Sequence, residues 1–97
     1  MTERHSFHFL KISGDISHHK EKEFVQTIRF VFNQLPDECT DRSLLQDTFQ
    51  EGHYTFYSEW RTEQALLKFQ QSDVYDLIKG AFETLGYYED TVKGEIN

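Results

Sequence analysis

The side chains here that could do chemistry are few. Trp60 is the only tryptophan, and it closes the aromatic run "HYTFYSEW". An indole N–H can donate a hydrogen bond to a carbonyl or to a developing oxyanion. As packing, the same ring would fill the end of a core. Five histidines are present: His5, His8, His18, His19 and His53. His8 stands out, because Leu10 and Ile12 follow it at strand spacing and mark its face as one that a core could cover. A partly buried imidazole can serve as a general base for a phenol or an activated C–H. The other reading is a hydrogen-bonded strand histidine. His53 adjoins a turn glycine and reads as solvated.

Metal chemistry has little support. His18 and His19 are adjacent, and His5 and His8 fall on opposite faces of an extended segment. No C-x-x-C or H-x-x-x-H spacing occurs. The expectation is no metal and no cofactor. Cys39, the single cysteine, has no evident activating base and reads as inert. No phosphate loop, nucleophile triad or carboxylate pair stands out. The run Lys20-Glu21-Lys22-Glu23 reads as a solvated helix face.

The elements that must position these groups follow from periodicity. "SFHFLKIS" (6–13) is the first strand, with Phe7 and Phe9 on one face and His8, Leu10 and Ile12 on the other. Gly14-Asp15 marks a break. Ser17 is the candidate N-cap of a helix running to Leu35, with Phe24, Ile28, Val31, Phe32 and Leu35 as its core stripe. Pro36 stops it. "DECTD" is a loop, and 42–50 is the second strand. A turn at Gly52 leads into the third strand, 53–60, as an antiparallel hairpin. Thr62 caps the next helix, with Ala65, Leu66 and Phe69 inward. Ser72 caps a further helical piece that buries Val74, Leu77, Ile78, Ala81, Phe82 and Leu85. Gly86 ends it, and 87–96 forms a last strand. The fold class is α+β, a ferredoxin-like β-α-β-β-α-β arrangement with an antiparallel sheet.

Length and composition bound the rest. The 97 residues fit one domain, 1–97. Nine Phe and five Tyr are a large aromatic load for so small a core. Strands one and three carry apolar groups on both faces, yet the helices can cover only one. A second copy packed sheet to sheet is the simplest cover, so the expectation is a homodimer. The net charge of −7, with no basic cluster, argues against nucleic acid and anionic membranes. No apolar run approaches the roughly 20 residues of a membrane span. A lone cysteine and no visible signal peptide point to the cytoplasm.

The stretch "YTFYSEWRTEQALLKFQQSDVYDLIKGAFETL" resembles the antibiotic biosynthesis monooxygenase (ABM) family. The matching features are Glu59-Trp60 ending an aromatic strand, then Thr62-Glu63, Ala65-Leu66, Ser72 before Tyr75, and Gly80-Ala81. "GDISHHKEKEFVQTI" fits upstream. The resemblance implies a dimeric α+β barrel in which two four-stranded sheets pack together. It also implies oxidation of polycyclic aromatics with O₂ and no bound cofactor, or, in other members, haem degradation or small-metabolite chemistry. Phe69 stands where many members carry a histidine. Lys79 stands where haem-degrading members place theirs, and strand one lacks their asparagine. Haem degradation is therefore disfavoured.

Two function classes follow. One is a cofactor-independent monooxygenase acting on a small aromatic, quinol- or anthrone-like, substrate. Trp60 and His8 are its candidate catalytic groups, and Phe56, Tyr57 and Phe69 its candidate substrate-binding groups. The other is a non-catalytic small-molecule-binding or structural homodimer, with an isomerase or lyase of a small metabolite as a further member of the set.

Overall fold

The computed structural model describes residues 7–96, so His5 lies outside the described residues. Four strands form one antiparallel sheet: β1 (Phe7–Ile16), β2 (Cys39–Gln46), β3 (His53–Trp60) and β4 (Gly86–Ile96). Their order is β2-β3-β1-β4. One 3₁₀ turn (His18–Lys20) and three helices, α1 (Glu21–Phe32), α2 (Glu63–Gln70) and α3 (Asp73–Leu85), complete the chain. This is the ferredoxin-like α+β arrangement, in which β1 and β3 are central and the helices lie on one face. No helix among the described residues is long and apolar enough to cross a membrane.

Strand alternation decides which face is core. Leu10, Ile12 and Ile16 of β1 and Tyr54, Phe56, Ser58 and Trp60 of β3 are buried beneath the helices. Phe24, Ile28 and Val31 of α1, Leu66 and Phe69 of α2, and Ile78, Ala81 and Phe82 of α3 meet them. Phe24 links the layers, with its ring centroid 4.8 Å from Phe82 and 5.2 Å from Tyr54. The opposite face presents Phe7, Phe9 and Lys11 from β1 and Thr55, Tyr57 and Glu59 from β3 (their burial follows the same alternation).

Several boundaries differ from the sequence reading. β1 does not break at Gly14-Asp15 but continues to Ile16. Gly14 permits this, because a Cβ there would fall 2.5 Å from the Tyr87 carbonyl oxygen of the adjoining strand. Ser17 makes no side-chain cap; its carbonyl accepts from Lys20 N at 2.8 Å, and the chain enters α1 through a 3₁₀ turn. α1 stops at Phe32, short of Leu35. Asn33 and Gln34 bond back three residues, and the Arg42 guanidinium donates to the Phe32 carbonyl. β2 is shifted towards its N-terminus. The Asp47 carboxylate accepts from the amides of Phe49 and Gln50, at 2.7 and 3.1 Å, which turns the chain directly after Gln46. At the other end, β2 starts at Cys39, with a bulge between Cys39 and Asp41. The Thr62 and Ser72 caps form as read. Their side chains accept from Ala65 N at 3.1 Å and Tyr75 N at 3.2 Å.

Candidate functional site

Trp60 ends β3, flanked across the sheet by His8 on β1 and Cys39 on β2. Its ring is fully buried. The indole N–H donates to Ser58 Oγ at 2.9 Å, and that hydroxyl donates to the Leu10 carbonyl at 3.2 Å. The two bonds satisfy the polar atoms that this end of the core encloses. Over the indole lies Phe69, stacked at 4.6 Å between centroids with 28° between planes. Tyr75 meets Phe69 edge-on at 5.8 Å. The α2–α3 joint holds Phe69 in place, because the Ser72 hydroxyl donates to the Phe69 carbonyl at 2.6 Å while capping α3.

Phe69 also lines a cavity of about 170 Å³. Pro36, Ala65, Phe69 and Val74 give it apolar walls, and Glu38 and Lys68 stand at its rim. It lies between the α1–β2 connection and the α2–α3 joint. Periodicity places Ala65, Lys68 and Phe69 on one side of α2, three and four residues apart. Glu38 reaches the cavity from the position just before β2, and no local sequence signal marks it.

The candidate residues named from sequence do not share one pocket. Phe69 lines the cavity just described, and Trp60 supports Phe69 from beneath. Phe56 is fully buried against Phe32, 6.0 Å between centroids. His8, although directly opposite Trp60, lines a different cavity of about 220 Å³ with Glu63, Leu66, Lys93 and Glu95. Tyr57 points to the other face of the sheet. It stacks on Phe9 at 6.4 Å and donates its hydroxyl proton to Glu59 Oε1 at 2.6 Å. Burial, reinforced by the Glu59 carboxylate, pushes the Tyr57 phenol up to about 12. At neutral pH Tyr57 is therefore a hydrogen-bond donor and not a base.

Burial also raises the Cys39 thiol, against an opposing pull from Arg42, which leaves less of the reactive thiolate. Lys79 holds its ammonium 5.1 Å from the centre of the Tyr88 ring. His53 is not solvated as its position beside a turn suggests. Its side chain is 15% exposed, and Nδ1 lies 3.1 Å from Asp15 Oδ1. Groups able to ligate a metal converge there although their spacing in the chain gave no sign of it. Asp15, His53 and Glu89 each offer an atom within 4.8 Å of the others.

Residues 18–79, more than half of the chain, match the family model described as "Antibiotic biosynthesis monooxygenase". No curated protein sequence matches the chain. Among solved structures, a conserved protein from Methanosarcina mazei superposes with a TM-score of 0.78 at 16% identity, covering 95% of this chain and 92% of its own. A candidate antibiotic biosynthesis monooxygenase from Caulobacter crescentus gives 0.76 at 14% identity, covering 95% and 89%. One from Nitrosomonas europaea gives 0.73 at 12% identity, covering 99% and 92%. At these identities the likeness is one of fold.

Proposed function

Because this chain belongs to the antibiotic biosynthesis monooxygenase family, we propose that it is a cofactor-independent oxygenase that takes a small aromatic substrate against Phe69. The observation that carries this reading is the size and lining of the cavity. A void of about 150 Å³ accepts a benzene ring, so 170 Å³ suits one aromatic ring. The cavity is open to solvent on one side, so it encloses one ring and gives the further rings of an anthrone no walls to pack against. The substrate class is therefore a monocyclic quinol or catechol rather than a polycycle.

Within this reading the roles are specific. Phe69 and Val74 bind the flat face. Glu38 is the base that takes a phenolic proton, and Lys68 stabilises the oxyanion that results. The electron-rich anion can then pass an electron to O₂. Trp60 is a positioning residue that fixes the plane of Phe69. His8 faces a separate cavity and does not touch this substrate.

The test is oxygen uptake on a panel of monocyclic quinols and one anthrone. The expected result is consumption above the protein-free rate with at least one quinol and none with the anthrone. Glu38→Gln should lower it at least about a hundredfold, the low end of a general-base contribution. Val74→Phe, which fills the void, should abolish it.

The second reading is a non-catalytic binding dimer, and one observation favours it. The indole N–H is already donated to Ser58, so the only tryptophan offers no donor to a ligand. Saturable binding of a monocyclic phenol without any oxygen uptake would select this reading over the first.

Both readings include a homodimer packed across the face of the sheet that the helices leave bare. Phe7, Leu45, Tyr87, Val92 and Ile96 are exposed there. A face with that much apolar surface is costly to leave in water. Sedimentation at micromolar concentration should return twice the chain mass of 11.6 kDa. A monomer would refute the dimer without touching the cavity argument.

A further inference from the structure

The open face carries a second cluster of chemically capable groups, remote from the Phe69 cavity. Asp15 and His53 are direct cross-strand partners of β1 and β3. Asp15 is also paired with Tyr87 on its other side, in β4. Between Tyr88 and Asp90 the β1–β4 register slips, and Glu89 is the inserted residue. Counted from Tyr87, the partner of Asp15, alternation returns Glu89 to the same face, and the bulge leaves it without a strand partner. Glu89 joins Asp15 and His53, all three ligand atoms lying within 4.8 Å of one another. Three strands thus converge one imidazole and two carboxylates on a point.

From this geometry we infer a binding site for a divalent transition-metal ion, Zn²⁺ being the species its ligand set suits best. Imidazole nitrogen and carboxylate oxygen are ordinary zinc donors, at about 2.0–2.2 Å from the ion. Two such donors sharing an ion at about 90–109° stand about 2.9–3.5 Å apart. The His53 Nδ1 to Asp15 Oδ1 separation of 3.1 Å already falls in that interval. Glu89 is the exposed member, and rotation of its side chain closes the remaining distance.

The scaffold is suited to the task. His53 is largely enclosed, and Gln50 Nε2 donates to Asp15 Oδ1 at 3.3 Å, so two of the three ligands are held before an ion arrives. A dication would also offset two carboxylates held close together in a chain of net charge −7. An ion held by these three ligands would clip β1, β3 and β4 together. The site stands independently of the oxygenase reading.

The experiment is calorimetric titration of ZnCl₂ into the chelator-treated full chain. One ion per chain is expected. Glu89→Gln, at an exposed position, should weaken binding at least about tenfold, and His53→Ala should abolish it. The same titration on the His18→Ala/His19→Ala double variant controls for exposed histidines and should match wild type. No heat of binding, or stoichiometric binding that survives Glu89→Gln and His53→Ala, overturns the proposal. So does binding that is lost in the His18/His19 variant. If His53→Ala does not fold, the Glu89→Gln result alone decides.

Discussion

Trp60→Ala will lower the unfolding free energy by about 3–5 kcal/mol, and Trp60→Phe by only about 1–2 kcal/mol. Domains of this kind have about 5–15 kcal/mol in total, so the alanine variant should lose a large share of its stability. The size of the effect follows from three roles that one side chain fills. The ring occupies a fully buried volume, it supports Phe69 by stacking, and its N–H satisfies Ser58 inside the core. Phenylalanine keeps an aromatic surface for Phe69 and forfeits the bond to Ser58. The hydroxyl keeps its own bond to the Leu10 carbonyl, which limits the loss. Urea-denaturation midpoints measure both variants. A tryptophan that acted on substrate would show in function instead of stability. Trp60→Phe would then fold like wild type and lose ligand binding or turnover. That outcome would show that the indole leaves Ser58 when a ligand enters.

The second large effect is expected where α3 hands over to β4. A Cβ at Gly86 would lie 1.9 Å from the Asp15 carbonyl oxygen and 2.7 Å from Ile16 Cα. Both are backbone atoms of the central strand, so no side-chain rotation relieves the overlap. Gly86 itself is extended, with φ of −174°, so space and not backbone conformation demands glycine. Gly86→Ala should cost about 3 kcal/mol or more, at the upper end for overpacking, because the β1–β4 pairing must shift. Gly80 is the internal control. It lies within α3, and a Cβ there meets nothing within 4 Å. Gly80→Ala should raise stability by about 0.5–1 kcal/mol through helix propensity. Chemical denaturation of the pair reads both signs in one experiment. Equal midpoints for Gly86→Ala and wild type would mean that the strands part without cost.

The hundredfold effect expected of Glu38→Gln bears on function and not on folding, since Glu38 is an exposed group at the rim. With Trp60, it separates the two questions that the aromatic end of β3 raises. One is what holds Phe69 in place; the other is what Phe69 faces.

Much of this molecule is legible in the order of its residues. Period-two alternation in 53–60 sets Tyr54, Phe56 and Trp60 on one face and Tyr57 on the other, as observed. The Thr62 and Ser72 caps announce α2 and α3, because a hydroxyl just ahead of an apolar repeat meets orphan amides within three residues. These are local effects, decided by neighbours a few positions apart. The ends of α1 and β2 are less legible, since each depends on an interaction made elsewhere. Arg42 reaches back to the end of α1, and the Asp47 turn is what closes β2.

Chemistry is the least legible layer. His8 and Trp60 are partners across the sheet, as their strands imply, yet they serve different spaces. Which atom the indole N–H bonds depends on Ser58, two residues away and hidden in the core. The cavity at Phe69 needs the α1–β2 connection to approach α2, bringing together Glu38 and Lys68 from distant parts of the chain. The Asp15, His53 and Glu89 cluster needs three strands brought side by side. Elements and faces are thus readable from the residues alone, because they rest on periodicity and short-range hydrogen bonds, while the family is carried by the motif residues from Glu59-Trp60 to Gly80-Ala81. Which side chains share a space is set by strand register and helix docking, which bring residues far apart in the chain to within a few ångströms.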